Sequence, residues 1–151
     1  MIPSPVNLST VPPYRCTTTA IPIIDIEIAG EKGRTGDLDG AIELCTTVIN
    51  DMFTTGEMVW HGRAITVLVE SLLARRTAAD LHAAHAAIER LAAVPVDPGF
   101  VAHEVPLLRL RALLARAHGD EAGYRDFRDR YRKMATDLKF EGHIAIAEAM
   151  P

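Results

Sequence analysis

The chain has 151 residues, the size of one ordinary globular domain, and 48% of them are hydrophobic while 24% are charged. The formal net charge of −4 gives no general attraction to nucleic acids or membranes. Two cysteines, Cys16 and Cys45, cannot build a disulfide framework, and no apolar run reaches the ~20 residues that cross a bilayer. We therefore expect a cytoplasmic protein that makes no membrane contact.

The first 20 residues hold four prolines among serines and threonines, and they lack the basic and apolar segments of a signal peptide. They predict an irregular N-terminal arm over residues 1–20, followed by one helical domain over residues 21–151. The segment from Ile21 to Ala29 alternates isoleucine with acidic residues, as a strand does. We still predict a helix, because Pro22 suits a first turn and no second strand exists to pair with it.

Seven helices are expected in total. Hydrophobic periodicity and Gly, Pro and Asp breakers put them at about 21–35, 37–55, 59–75, 78–94, 104–118, 121–138 and 141–150. The second has the clearest apolar stripe, with spacings of three and four residues from Leu38 to Phe53. The fifth is apolar nearly all round, so we expect it at the centre of the fold.

A repeated sequence pattern underlies this helix order. The segment Gly36-Asp37-Leu38-Asp39-Gly40-Ala41-Ile42-Glu43-Leu44 resembles the turn and second helix of a tetratricopeptide repeat, and Gly119-Asp120 repeats the turn. Three copies would begin near residues 22, 65 and 105. The positions expected to pack between helices are Ile28, Ala29, Ala41, Cys45, Val48, Ala84, Ile88, Leu91, Ala112 and Tyr131. The predicted fold is an all-α, tetratricopeptide-like superhelix of three degenerate helix–turn–helix repeats, and the alternative is an irregular helical domain.

A more specific resemblance covers most of the chain from Ile21 onward. The segments that carry it include Val69-Glu70-Ser71-Leu72-Leu73, Pro106 to Arg116, Tyr131 to Ala135 and Phe140 to Met150. They are similar to the C-terminal helical-repeat region of actinobacterial signalling proteins that join a nucleotide cyclase, a P-loop ATPase and sometimes a LuxR-type DNA-binding domain. The resemblance implies a repeat fold and a signalling context, and it implies no activity in these residues. The sequence contains no Gly-x-x-x-x-Gly-Lys-Ser/Thr phosphate loop.

Few residues have the type and spacing of a metal-binding or catalytic site. His82, His85 and Glu89 have the spacing of ligands on one side of a helix, but no partner ligand on another helix can be identified. His103 and His143 could act as general bases, yet no serine or cysteine nucleophile is recognisably placed with them. We expect no enzyme activity, no metal and no cofactor.

Residues 105–139 carry nine basic and five acidic side chains, many of them paired four residues apart as on a solvated helix. Arg125, Arg128 and Arg132 are the candidates for contact with a partner. A solvated helix surface is the favoured interpretation of these charges. An acidic peptide is the second, and nucleic acid the third, because few aromatic residues interleave the charges.

The functional hypothesis is a non-catalytic protein–protein interaction scaffold, because stacked helix pairs offer a groove for a peptide or a partner helix. The competing hypothesis is a sensor that binds a small molecule between helices. We also expect a homodimer that forms through Ile146, which should face away from the rest of the last helix's contacts.

Overall fold

The computed structural model describes residues 22–57, 59–97 and 99–151. Over these ranges the chain forms seven α-helices and no strand. They are α1 (Pro22–Thr35), α2 (Leu38–Thr55), α3 (His61–Arg75), α4 (Ala78–Ala92), α5 (Val101–Ala117), α6 (Glu121–Asp137) and α7 (Glu141–Ala149). The all-α prediction is confirmed, and the fifth helix begins three residues earlier than expected. The predicted arm over residues 1–20 lies outside the described residues.

The two Gly-Asp turns have the same local structure. Gly36 and Gly119 adopt left-handed backbone angles, with φ of 95° and 76°. Asp37 then caps α2 by accepting a hydrogen bond from the Gly40 N–H at 3.0 Å, and the aspartate of the second turn caps α6 in the same way. Each turn therefore ends one helix and starts the next.

The helices pack in chain order, each against the next, and α3 also packs against α1 and α5. Within the described ranges the backbones of α2 and α4, and those of α4 and α6, do not come close together, although the Arg90 side chain of α4 reaches Asn50 of α2. The odd-numbered helices α1, α3 and α5 therefore lie side by side. Both α3, which packs on four helices, and α5, which packs on three, lie inside the helix array.

The core has two parts. The larger is built from α1 to α5, with α3 supplying Ala64, Ile65, Val69 and Leu72 among others. The smaller joins α5, α6 and α7 around Val105, Leu108, Tyr131 and Ala147. α7 contributes one small, fully packed residue, Ala147, to this part of the core.

Nine of the ten residues expected to pack between helices are buried: Ala29, Ala41, Cys45, Val48, Ala84, Ile88, Leu91, Ala112 and Tyr131. The assignment of Ile28 is wrong, because 45% of its surface is exposed. α1 turns Ile26 and Ala29 toward α2 and α3, and Ile28 lies about 200° from Ile26 around the helix. The side of α1 that carries Ile28 has no described helix against it.

None of the described helices is both long enough and apolar enough to span a membrane.

Candidate functional site

Two grooves run between the odd-numbered helices. The α1–α3 groove has a volume of about 490 Å³, and Glu27, Arg34, Arg63 and Ser71 are among its lining residues. The α3–α5 groove has a volume of about 510 Å³ and is lined by Glu70, Leu73, Ala74, Arg76, Arg109, Leu113, Arg116 and Ala117. Because Glu70 lines both grooves, they form one continuous surface, which we call the odd-helix face.

An ion pair crosses each of these grooves. In the first, the Arg63 guanidinium of α3 lies 3.0 Å from the Glu27 carboxylate of α1. In the second, Arg109 of α5 donates to Glu70 of α3. Each ion pair links two neighbouring odd-numbered helices at the bottom of a groove. The paired side chains remain partly exposed to solvent.

The α3–α5 groove carries excess positive charge. Glu70 is its one acidic lining residue, against the three guanidinium groups of Arg76, Arg109 and Arg116. Glu70 is already bound to Arg109, and the Nε of Arg109 is buried with no hydrogen-bond partner among the described residues. Arg76 and Arg116 are exposed at this groove, so its accessible donors and its net charge suit an acidic ligand.

The two glutamates also occupy matching places in the chain. Glu70 follows Glu27 by 43 residues, which is the separation of the first two expected repeat starts. Sequence reasoning did not single out this pair, although the repeat spacing was the signal that could have found it. Each glutamate accepts an arginine of the next odd-numbered helix.

A hydrogen bond between α6 and α7 lies beside the Glu70–Arg109 pair. The Tyr131 hydroxyl and the His143 Nδ1 are 2.8 Å apart. Burial raises the pKa of Tyr131, and burial followed by the Arg109 charge lowers the pKa of His143. Tyr131 is fully buried and His143 is partly exposed, and their hydrogen bond joins α6 to α7.

The three arginines predicted to contact a partner lie elsewhere. Arg128 is 2.9 Å from Asp129, and Arg132 is 3.9 Å from Glu148 at the end of α7. Arg125 is exposed. None of the three lines either groove of the odd-helix face. Their role in partner binding stays a prediction.

The structure gives no support to the metal candidates. His82 and His85 are exposed on α4, and Glu89 has the Arg111 guanidinium at 3.6 Å. Among the described residues no group of three or more His, Cys, Asp or Glu side chains could hold a metal ion. Burial raises the pKa of the Cys45 thiol to about 12, which makes it a poor nucleophile at neutral pH.

A smaller groove lies on the opposite side, between α2 and α4 and over α3. Its volume is about 290 Å³, and its lining is mostly apolar: Ile42, Thr46, Ile49, Asn50, Ile65, Leu68, Leu72, Ala83, Ala86, Ala87 and Arg90. Arg90 is held over the Phe53 ring, 3.7 Å from its centroid, and donates to Asn50. We call this the outer groove.

No family model, curated protein or solved structure matches the chain. Its function must therefore be inferred from the geometry and chemistry of its own residues.

Proposed function

We propose that this chain is a non-catalytic protein–protein interaction scaffold that binds a peptide segment of its partner on the odd-helix face. The observation that carries the proposal is the continuous surface of two grooves between α1, α3 and α5, with open polar groups along it. An extended peptide or a helix can lie across such a surface.

A tetratricopeptide-like arrangement is part of this proposal. Three observations support it. Helices α1, α3 and α5 pack side by side, and both Gly-Asp turns form the same cap. Glu27 and Glu70 make equivalent inter-helix ion pairs at a 43-residue spacing. Stacked repeats of this kind present extended binding surfaces.

The net positive charge of the α3–α5 groove indicates that the bound peptide carries acidic residues. Arg76 and Arg116 border the groove, and among the described residues neither forms an ion pair with a carboxylate. A peptide with an acidic stretch over this groove would replace solvent around the Arg76 and Arg116 guanidinium groups with charge-assisted hydrogen bonds. We also propose a signalling context for the partner, on the resemblance to helical-repeat regions of cyclase and ATPase proteins.

The test is selection of binders from a random peptide display library, followed by fluorescence anisotropy of the selected peptides. We expect peptides enriched in Asp and Glu that bind with Kd of about 1–100 µM, as small peptide interfaces do. Binding should weaken as salt increases, because exposed charges are screened.

The variant Arg116→Glu has a matched control on the same helix. Arg111 points away from the odd-helix face toward Glu89, so Arg111→Glu changes the net charge equally without entering the α3–α5 groove. We expect Arg116→Glu to weaken peptide binding by about tenfold and Arg111→Glu to leave it close to wild type. Failure to select any peptide, or equal loss in both variants, would contradict the proposal.

A small-molecule sensor is the second candidate, and the outer groove is the observation that favours it. Its volume of about 290 Å³ is near the lower limit of ligand pockets, and its walls are largely apolar. The substitution Ala86→Trp would fill this groove. Native mass spectrometry that recovers a small ligand from wild type but not from this variant would favour the sensor over the scaffold.

A further inference from the structure

The odd-numbered helices end in different residues. α1 and α5 each lead into a glycine with left-handed backbone angles, Gly36 with φ of 95° and Gly119 with φ of 76°. At the end of α3 an arginine takes this conformation, because Arg76 has φ of 62° and ψ of 35°. The Arg76 N–H donates to the Leu72 carbonyl, so its backbone closes the helix as a glycine usually does.

The left-handed conformation of Arg76 lowers the stability of the fold. It brings the Cβ of an L-residue too close to the following carbonyl oxygen, whereas glycine has no Cβ and adopts the conformation freely. Residues in such strained conformations are concentrated at ligand-binding sites. The surroundings of the Arg76 side chain therefore bear on its function.

The Arg76 side chain differs from that of its neighbour. Arg75 lies 2.6 Å from Asp80 of α4 and also binds Asp39 of α2, so its charge is used within the fold. Arg76 instead lines the α3–α5 groove, where it is exposed and has no carboxylate partner among the described residues. The charge of Arg76 is therefore available to a ligand in this groove.

A second exposed arginine lies across the groove at the same level. α3 and α5 run parallel, since Glu70 binds Arg109, 39 residues further on, and a Cβ on Gly62 would approach the α5 backbone 40 residues further on. Arg116 follows Arg76 by 40 residues and also lines the groove. The two arginines therefore face one another across the ends of α3 and α5.

Arg116 also has donors available to a ligand. Its guanidinium carbon lies 5.4 Å from the centroid of the Tyr124 ring, a cation–π contact that does not satisfy its N–H groups. Packed neighbouring helices lie about 8–10 Å apart, so an acidic side chain between α3 and α5 can receive hydrogen bonds from both arginines. Leu73 and Leu113 of the same groove offer apolar contact to the rest of the ligand.

We infer that Arg76 and Arg116 bind the same acidic side chain of the partner peptide, and that Arg76 keeps its left-handed position, at a cost in stability, because this binding requires an arginine there. This inference rests on the proposed function and adds to it the pair of residues that recognises one position of the peptide. An aspartate or glutamate at that position is held from two helices at once, whereas a neutral side chain leaves both guanidinium groups without their ligand.

The substitution Arg76→Gly separates binding from stability, because its two effects have opposite signs. We expect the Tm to rise by about 1–4 °C as the backbone strain is relieved. We expect the binding of fluorescein-labelled hexaglutamate, measured by anisotropy at low ionic strength, to weaken about tenfold. A variant that is more stable than wild type has kept its fold, so its loss of binding reports on the arginine side chain.

The matched control is Lys139→Gly. Lys139 is the other non-glycine residue with left-handed angles among the described residues, with φ of 56°, and it lines neither groove of the odd-helix face. Lys139→Gly removes the same charge and should also raise the Tm, while hexaglutamate binds to it as to wild type. A general loss of attraction for anions would instead weaken binding equally in both variants.

A glutamate-to-glutamine scan of the tightest peptide from the display library tests whether the two arginines share one acidic side chain. We expect one peptide position to matter most in wild type, with a loss of about tenfold, and to matter much less in both Arg76→Gly and Arg116→Gln. If the two variants lose their dependence on different peptide positions, the arginines bind separate acidic groups and the inference is wrong.

Other outcomes also decide the matter. Hexaglutamate that binds Arg76→Gly as it binds wild type, that binds neither, or that is lost equally from Lys139→Gly overturns this inference. So does a lower Tm in Arg76→Gly. These results leave the scaffold proposal standing as long as the library still yields peptides, whereas failure to select any peptide overturns both.

Discussion

The His61 ring stacks on the Phe53 ring, with centroids 4.3 Å apart and planes 33° apart. His61 is fully buried at the start of α3, and neither of its ring nitrogens has a hydrogen-bond partner among the described residues. Burial lowers its pKa, and the nearby charges of His103 and Arg90 act in the same direction. His61 is therefore held in its neutral form at neutral pH.

This relationship predicts a loss of stability in mild acid. A histidine whose pKa is lowered by folding contributes its full stability above the unfolded pKa of about 6.5, and that contribution is lost as the pH falls below it. We expect the Tm to drop by about 2–5 °C between pH 7 and pH 5, and His61→Leu to reduce that drop. The pKa of His143 is also lowered, so some pH dependence should remain.

Scanning calorimetry at several pH values provides the measurement. The exposed His82 supplies the control, since His82→Gln should keep the wild-type slope of Tm against pH. An unchanged slope in His61→Leu would mean that the acid sensitivity arises elsewhere.

The helix contacts at Ala41 and Ala112 predict the effect of larger side chains. Both residues are fully buried, and a Cβ added to Gly33 of α1 would already lie 3.7 Å from the Cβ of Ala41. Replacing either alanine with leucine should cost about 1–3 kcal/mol of unfolding free energy through overpacking. Urea unfolding measures this, with the exposed Ala79→Leu as control. Wild-type stability of both buried variants would contradict the assigned contact positions.

The helices could be predicted from the sequence because their signals are local. Thr77 caps α4 and exchanges hydrogen bonds with Asp80 three residues on, and Gly-Asp turns begin α2 and α6. The buried stripe of α2 also follows directly from its period of three and four residues.

Features that depend on which helices become neighbours could not be predicted in the same way. Glu70 and Arg109 are 39 residues apart, and their contact requires α3 and α5 to lie side by side. Ile28 was assigned by matching a family pattern, whereas the face that α1 buries is set by Ile26 and Ala29. The odd-helix face is a product of this packing, so the sequence did not reveal its residues.

Arg75 bridges two aspartates of very different exposure, and this predicts unequal effects when each is removed. The Asp80 side chain is 2% exposed and lies 2.6 Å from Arg75, whereas the Asp39 side chain is 85% exposed. The Arg75 hydrogen bond, followed by the Thr77 backbone N–H, lowers the pKa of Asp80. Asp80→Asn should lower the Tm by at least about 3 °C, and Asp39→Asn should leave it nearly unchanged.

Thermal unfolding at pH 7 checks this difference, because Asp80 is ionised there. The lowered pKa of Asp80 also means that its contribution disappears only as the pH falls below about 4. It is therefore separable from the His61 effect between pH 5 and 7. Equal Tm losses in the two variants would show that burial does not distinguish these ion pairs.

Gly62 lets α3 approach α5 closely at the point where Pro106 interrupts the hydrogen bonds of α5. Pro106 has no N–H to donate to the Ala102 carbonyl four residues earlier. A Cβ added to Gly62 would lie 3.1 Å from that carbonyl oxygen and 3.5 Å from the Pro106 ring. Helix propensity alone would make Gly62→Ala stabilising by about 0.5–1 kcal/mol. Whether the substitution raises or lowers the unfolding free energy therefore depends on this contact.

We expect Gly62→Ala to destabilise the protein, because the backbone oxygen of a neighbouring helix cannot move aside as a flexible side chain can. Gly30 is the matched control in α1, since a Cβ there would meet only one Val67 methyl group at an ordinary 3.8 Å. Gly30→Ala should therefore raise the unfolding free energy by about 0.5–1 kcal/mol, as measured by urea denaturation. If both substitutions stabilise the protein, the close packing of α3 on α5 at Gly62 is not a constraint on the fold.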